Sequence, residues 1–265
     1  EKNQRSWSRF LKARFFRIAP LYYLCTIFAV IIGYIEIPNL LHSIQTVTFI
    51  KFYKTSPPLA VGWTLEYEFI FYLLCSFSIL IFKKQKNQIF LILAMLLSAV
   101  VLIDFIIFSE KKYGHFAEFG LGVLVYLIYR LNVLAKVSQN YFIFFIFLGF
   151  FLLIISDIYI YKDNFTYLRF IFWGIPSFLI VLSFISLEDK IFKSNFFRYL
   201  GDASYSIYLT HLPFIYILKS TFNYNKENSS YLMQILVFSL IVLFACLVHT
   251  YVEKFISNYI KLRLN

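Results

Sequence analysis

Charge is scarce in this chain of 265 residues: Asp, Glu, Lys and Arg make up 15% of it, while 60% is hydrophobic and 22% aromatic. Soluble domains carry about 25% charged and roughly 45–50% apolar residues, so the deficit excludes a water-soluble globule. Cysteine is also sparse. Cys25, Cys75 and Cys246 each sit inside an apolar run with no CxxC or Cys/His spacing, which excludes a disulfide framework and a metal site and leaves thiols that pack as small apolar side chains. Missing too are the alternating segments of about ten residues that build a membrane β-barrel; unbroken apolar runs such as 88–108 and 141–161 stand in their place. No repeat, low-complexity tract or soluble domain interrupts the pattern.

What is present is length enough for about eight membrane-crossing helices. Each needs about 20 mostly apolar residues to cross a hydrocarbon layer roughly 30 Å thick. Runs bounded by charge or by Pro and Asn clusters place the spans at 18–37, 64–82, 88–108, 116–130, 141–160, 167–187, 203–222 and 231–252. The stretch 38–63 is apolar enough to lie at the outer interface. The formal charge is +11, which in a soluble protein would raise nucleic-acid binding and here reports sidedness; no nucleic acid is expected as a partner. Seventeen of the 25 Lys and Arg fall on one set of alternate helix ends and eight on the other. The positive-inside rule then puts both visible termini in the cytoplasm, as an even number of spans requires. The expected architecture is all-α, a polytopic helical bundle forming one domain over 1–265.

An ionisable side chain at a helix centre costs roughly 2.5–3.5 kcal/mol on insertion scales, so each needs a partner, a watery cavity or a place near the interface. Asp104, Asp157, Arg169 and His249 fall near span ends and read as interfacial or paired, while His42 and His115 read as solvated loop histidines. His211 falls near the middle of 203–222. Helical spacing puts Ser204, Tyr208 and His211 on one face, and Pro213, with no N–H, removes the backbone hydrogen bond to the carbonyl of Leu209. A neutral imidazole there can take or give a proton near neutral pH, or it can simply bond a neighbouring helix.

A second constellation runs from Val61 to Tyr72. Glu68 and Tyr72 stand one turn apart on one face, and Glu66 points elsewhere, toward interfacial water. The helix dipole favours either carboxylate there for purely structural reasons. Glu118 is a third acid at similar depth, followed by Gly120 and Gly122, whose first reading is close helix packing. Third, Arg14 and Arg17 share a face of the basic stretch Arg9–Pro20. Such arginines anchor a helix to anionic lipid, or hold the phosphates of a cytosolic anionic donor; composition leaves both open.

Together these segments resemble the acyltransferase 3 family of integral membrane acyltransferases. The run Phe10-Leu11-Lys12-Ala13-Arg14-Phe15-Phe16-Arg17-Ile18-Ala19-Pro20 is similar to the family's double-arginine, proline-terminated helix start. Gly62-Trp63-Thr64-Leu65 with Glu68 and Phe71-Tyr72 resembles its Trp-Ser/Thr-Leu, Glu, Phe-Tyr segment, in a form similar to exopolysaccharide acyltransferases. Leu200-Gly201-Asp202-Ala203-Ser204-Tyr205-Ser206-Ile207-Tyr208-Leu209-Thr210-His211 resembles its late Gly, Ser-Tyr-Ser, Tyr-Leu, His segment, and Glu118-Phe119 with Gly120 and Gly122 a weaker one.

The resemblance implies about ten spans with both ends inside, a bacterial cytoplasmic membrane, and transfer of an acyl group, acetyl foremost, from acyl-CoA to a hydroxyl of a surface or lipid-linked saccharide. Membrane lipid and the saccharide are the implied partners, acetyl-CoA the co-substrate, and no metal is called for. Glu68 and His211 are the implied catalytic positions. Arg14 and Arg17 bind the donor, and Trp63, Tyr72, Glu118, Ser204, Tyr205 and Tyr208 line the cavity or meet the acceptor. The family's first helix, with the histidine usually considered catalytic, has no counterpart, and the chain starts at Glu1, so it reads as amino-terminally truncated. A transporter or flippase of a lipid-linked sugar or small solute, with His211 and Glu68 as relay groups, and a non-catalytic subunit are the competing expectations.

Overall fold

A computed structural model describes residues 6–50, 56–82, 85–102, 115–134, 137–160, 169–191, 194–222, 224–225 and 229–264. Among them there is no strand. The α-helices are α1 (Trp7–Ile31), α2 (Leu40–Thr48), α3 (Gly62–Ile81), α4 (Gln85–Leu102), α5 (His115–Arg130), α6 (Gln139–Ile155), α7 (Ile175–Ile191), α8 (Asn195–Phe222), α9 (Tyr231–Val248) and α10 (Lys254–Leu264). Three π-helical turns, Ser156–Ile160, Phe170–Gly174 and His249–Glu253, continue α6, lead into α7 and join α9 to α10. The all-α class expected from hydropathy is the one observed.

Burial is inverted relative to a soluble protein. Phe147, Ile235 and Phe238 stand 65–70% exposed on their helices, whereas Gln45, Glu66, Ser206 and His249 are buried. Such a surface is unstable in water and at ease in hydrocarbon, where polar groups must find partners inside. Five helical stretches among the described residues are long and apolar enough to cross a membrane: Trp7–Ile31, Gly62–Ile81, Gln139–Ile158, Phe170–Glu188 and Tyr231–Ile260.

The eight expected spans differ from these in instructive ways. The first helix starts at Trp7 and stops at Ile31, not 18–37, because Gly33 turns the chain at a φ of +72°. The basic stretch is therefore part of the helix. The span expected at 203–222 lies within the 28 residues of α8, long enough to cross but too polar along its face to count by hydropathy. Helix α5 has 16 residues, short for a crossing. Parts of the spans expected at 88–108 and 167–187, together with Asp104, lie outside the described residues. Short α2 exposes Leu40, Leu41, Ile44 and Val47 and buries Gln45 and Thr46, the orientation of a helix lying in an apolar surface layer.

The chain divides into two compact units, with the boundary at Tyr72 and Leu73 inside α3. One unit comprises Ser8–Tyr72 and Ser194–Asn265, and the other Glu1–Trp7 and Leu73–Lys193. The first has its core where Ile18, Leu21, Tyr22 and Cys25 of α1 meet Leu59, Val61 and Leu65 at the start of α3 and Leu209 of α8. Phe49, in the left-handed region at φ 57°, caps α2 and puts its ring into that core beside Tyr22, Tyr23 and Phe69.

In the other unit α6 packs on α7. Gly149 permits it, since a Cβ there would lie 2.5 Å from Ile180 Cγ1 and 3.0 Å from the Pro176 carbonyl oxygen. Gly120 and Gly122, the glycines expected to serve close packing, meet nothing within 4 Å of that position among the described residues. The packing glycine is the one that faces a neighbouring helix.

Candidate active site

Two of the motif segments are bonded to each other in the first unit. The Tyr208 hydroxyl of α8 donates to the Val61 carbonyl oxygen at 2.8 Å and lies 2.7 Å from Thr64 Oγ1, so the late segment grips the backbone turn that opens α3. Gly62 stands at that turn because a Cβ would come within 2.6 Å of the Tyr22 hydroxyl. One helical turn before Tyr208 along α8, Tyr205 donates to the Ile18 carbonyl oxygen at 2.6 Å and so binds the basic segment of α1. Tyrosine suits these places: its ring fills apolar space and its hydroxyl satisfies a carbonyl at the far side.

On α3, Tyr72 donates to Glu68 Oε1, the one-turn pair that helical periodicity predicts. The Tyr72 ring is in turn covered by the Arg14 guanidinium, 5.7 Å from its centroid, which also lies 5.4 Å from the Phe10 centroid. Arg14 is thus held by ring faces, one of them that of the tyrosine bonded to the Glu68 carboxylate. Arg17, three residues on, is exposed and lines a cleft that Arg14 does not reach. Glu66 departs from expectation. It is 4% exposed rather than in interfacial water, and Gln45 of α2 donates to its Oε1 at 2.5 Å. A tertiary partner brought by α2 makes that burial tolerable.

His211 Nδ1 lies 2.8 Å from the Tyr208 carbonyl oxygen. A carbonyl only accepts, so Nδ1 is the donor of that bond. Trp63 is half-buried with its ring edge-on to Tyr67 at 6.2 Å. Ser204, expected on the His211 face, is exposed, and the neighbouring Ser206 is the buried serine. Of the two histidines expected in loops, His42 lies in α2 with Nδ1 2.8 Å from Asn39 Oδ1, and His115 is the buried first residue of α5.

A constellation not singled out in the sequence closes the inner part of this unit. Glu253 Oε2 accepts from Ser206 Oγ at 2.6 Å and from His249 Nδ1 at 2.7 Å. His249 is 5% exposed, and its Nε2 is buried with no hydrogen-bond partner among the described residues. The pair sits on the π-helical turn, closed by the Lys254 N–H bonding the His249 carbonyl. Such turns are frequent at functional positions. The four-residue spacing of His249 and Glu253 was a legible signal; Ser206, 47 residues from Glu253, was not.

Beside the pair opens a cleft of about 690 Å³, lined among others by Arg17 and Pro20 of α1, Asp202 of α8, and His249, Glu253 and Lys254. Pro20 has no N–H to offer the Phe16 carbonyl one turn back. The volume is within the range of small-molecule sites.

Glu118 lies in the other unit. Its Oε1 accepts from Arg169 Nε at 2.8 Å, at the mouth of a cavity of about 200 Å³ that Trp173 and Gly122 also line. The π-helical turn Phe170–Gly174 follows Arg169, and Ser156 Oγ, 2.8 Å from the Phe172 carbonyl and 2.7 Å from that of Leu152, satisfies the backbone the turn disturbs. Arg169 is thus paired, and Asp157 is exposed. Among the described residues no group of three His, Cys, Asp or Glu is placed to hold a metal ion.

Comparison with protein-family models gives a match to an acyltransferase domain over residues 1–251, nearly the whole chain. Neither the curated proteins nor the solved structures yield a match.

Proposed function

The chain belongs to the acyltransferase 3 family and is an acyltransferase; on that premise we propose that it moves an acyl group, acetyl foremost, from acyl-CoA to a saccharide hydroxyl. The membrane is its setting, and we read the basic chain ends as cytoplasmic, the side on which acyl-CoA is made. The observation that carries the reading is the bonding of the late segment of α8 to both the Trp-Thr-Leu turn of α3 and the double-arginine segment of α1, through Tyr208 and Tyr205. Segments 140 and more residues apart have no reason of sequence proximity to meet, and their meeting gathers Glu68, His211 and the two arginines into one unit.

In this reading Arg17 takes donor phosphate in the cleft, and Arg14 adds positive potential from its seat on Tyr72. An alcohol is a poor nucleophile toward a thioester, so a base must remove its proton as it attacks, a contribution of about 10²–10⁴ in rate. Glu68, bonded by Tyr72, orients the acceptor or the base, and His211, fixed through Nδ1, lines the cavity or stabilises developing charge. Glu118 with Arg169 and Trp173 offers a carboxylate, a guanidinium and an indole at one small cavity, a set that suits sugar hydroxyls and ring faces. Trp63 and Ser204 complete the acceptor-side expectations.

Purified chain in nanodiscs tests the donor half. Arg17→Ala should weaken acetyl-CoA binding about ten- to a hundredfold, from the loss of one charge-assisted contact worth about 1.5–3 kcal/mol, and Arg14→Ala should weaken it less. Unchanged binding in both variants would remove the arginines from the donor site. Glu68→Gln, inserted normally, should lower acetylation of cell-surface polysaccharide at least a hundredfold. Transport of a solute with acylation intact would instead favour the carrier reading.

A further inference from the structure

We propose that α10 forms a second wall of the donor site: Lys254 grips the donor's diphosphate together with Arg17, and Asn258, one turn further on, bonds the nucleoside. The proposal rests on the acyl-CoA reading above and adds to it the helix that recognises the nucleotide end of the donor. None of the segments that resemble family motifs lies there, and the family match ends at residue 251, before α10 begins.

Coenzyme A carries its charge at one end, as a diphosphate and a 3′-phosphate on an adenosine. The 690 Å³ cleft suits that end in size and in polarity. Arg17 comes to it from α1 and Lys254 from the first position of α10; both are exposed, and neither is in an ion pair among the described residues. The Lys254 ammonium lies 5.2 Å from the ring centre of Tyr199 on α8, which steers the long side chain. A lysine already held in this way loses less freedom when a phosphate arrives.

The two acids of the cleft leave room for an anion. Glu253 Oε2 accepts from Ser206 and from His249, so its charge is met from within the bundle. Asp202 repels phosphate and accepts only from an amine or a hydroxyl, which adenine and ribose supply. Lys254, Ser257 and Asn258 are spaced to share one face of α10, and all three line the cleft. The exposed amide of Asn258 offers a donor and an acceptor together, the pair that the edge of an adenine requires. A phospholipid headgroup would meet the two cations equally well, and it would leave Asn258 and Asp202 without a role.

The test measures binding to the full chain in neutral phosphatidylcholine nanodiscs, with acetyl-CoA and with 3′,5′-ADP, the nucleotide end of the donor without its thioester. Lys254→Ala should weaken both about ten- to a hundredfold, the loss of one charge-assisted contact, and Lys254→Arg should stay within about threefold of wild type. Asn258→Ala should weaken both about three- to tenfold and leave competition by inorganic diphosphate unchanged. If Lys254→Ala binds acetyl-CoA within about threefold of wild type while Arg17→Ala is weakened, the proposal is overturned and the donor reading stands. A wild-type chain that binds no acetyl-CoA sinks both. Loss of co-purifying anionic phosphatidylglycerol in Lys254→Ala, with acetyl-CoA affinity unmoved, would assign the cation to a lipid headgroup and overturn the proposal as well. Should the Lys254 variants not reach the membrane, Asn258→Cys, with Lys254 intact, replaces them. In that variant 3′,5′-ADP should slow maleimide labelling at position 258, and a chain that binds 3′,5′-ADP yet labels there at an unchanged rate refutes the placement of the nucleotide on α10.

Discussion

Each of the two units holds a π-helical turn beside a carboxylate bonded to a nitrogen side chain, and the pairs live in different surroundings. In the unit formed by Ser8–Tyr72 and Ser194–Asn265, His249 and Glu253 show side-chain exposures of 6% and 20%, and Glu253 also accepts from buried Ser206. In the unit that contains Leu73–Lys193, Arg169 and Glu118 show 40% and 29% at the edge of a small cavity. The first unit also buries Gln45 against Glu66 and threads tyrosine hydroxyls onto backbone carbonyls, whereas among the described residues the buried polar side chains of the second, apart from His115, are serines. Buried polar groups demand mutual satisfaction and so fix geometry, while a half-exposed pair can relax toward other partners. The unit that pays for buried polarity is the one that gathers the motif segments.

That contrast should break first at Gln45. Replacing it with Leu removes the donor to Glu66 Oε1 inside a buried environment and should destabilise the first unit by about 1–3 kcal/mol. Cys25 and Cys75, both buried, lie one in each unit and report each separately through thiol labelling on heating in detergent. Gln45→Leu should expose Cys25 at lower temperature before it affects Cys75. Equal shifts at both thiols would mean that the units unfold as one, and the contrast would lose its energetic content.

Gly149 comes next. An Ala there puts a methyl 2.5 Å from Ile180 Cγ1 and 3.0 Å from a backbone oxygen, which cannot retreat cheaply. Overpacking of this kind costs about 1–3 kcal/mol and should fall on Cys75 labelling. Gly122→Ala, with open space at its Cβ position, should be near neutral or slightly stabilising through helix propensity. A large loss in the second variant and none in the first would reverse the assignment of packing glycines.

What could be read from sequence follows from what is local. Hydropathy gave the helical class, and helical spacing gave the Glu68–Tyr72 pair and the shared face of Tyr208 and His211, because residues three and four apart on a helix are neighbours wherever the helix sits. The join of Tyr208 to Thr64 spans 144 positions and could not be read from spacing, though the motif resemblance marked both ends. Glu66 was misplaced for the same reason: its partner Gln45 comes from α2, a short helix inside a stretch read only as interfacial. Gly120 and Gly122 carried the right chemistry for packing, with no neighbour at their Cβ positions among the described residues. His249 and Glu253 had a visible spacing, but their weight comes from Ser206 and the cleft, which tertiary structure alone brings together.

The smallest effect should come from Arg169→Ala. The pair with Glu118 is short, at 2.8 Å, yet both side chains keep a third or so of their surface open, so the attraction is screened and the guanidinium has lost rotamer freedom to hold its place. Exposed pairs of this kind contribute about 0–1 kcal/mol, and Cys75 labelling should barely shift. The surrounding hydrocarbon argues the other way, since a carboxylate left alone there needs water or a proton, and the cavity beside Glu118 is large enough to admit water. A shift as large as that from Gln45→Leu would therefore mean that the cavity is dry and that the second unit buries charge as tightly as the first. With a small shift and a loss of saccharide acylation, the pair would be assigned to the acceptor rather than to the fold.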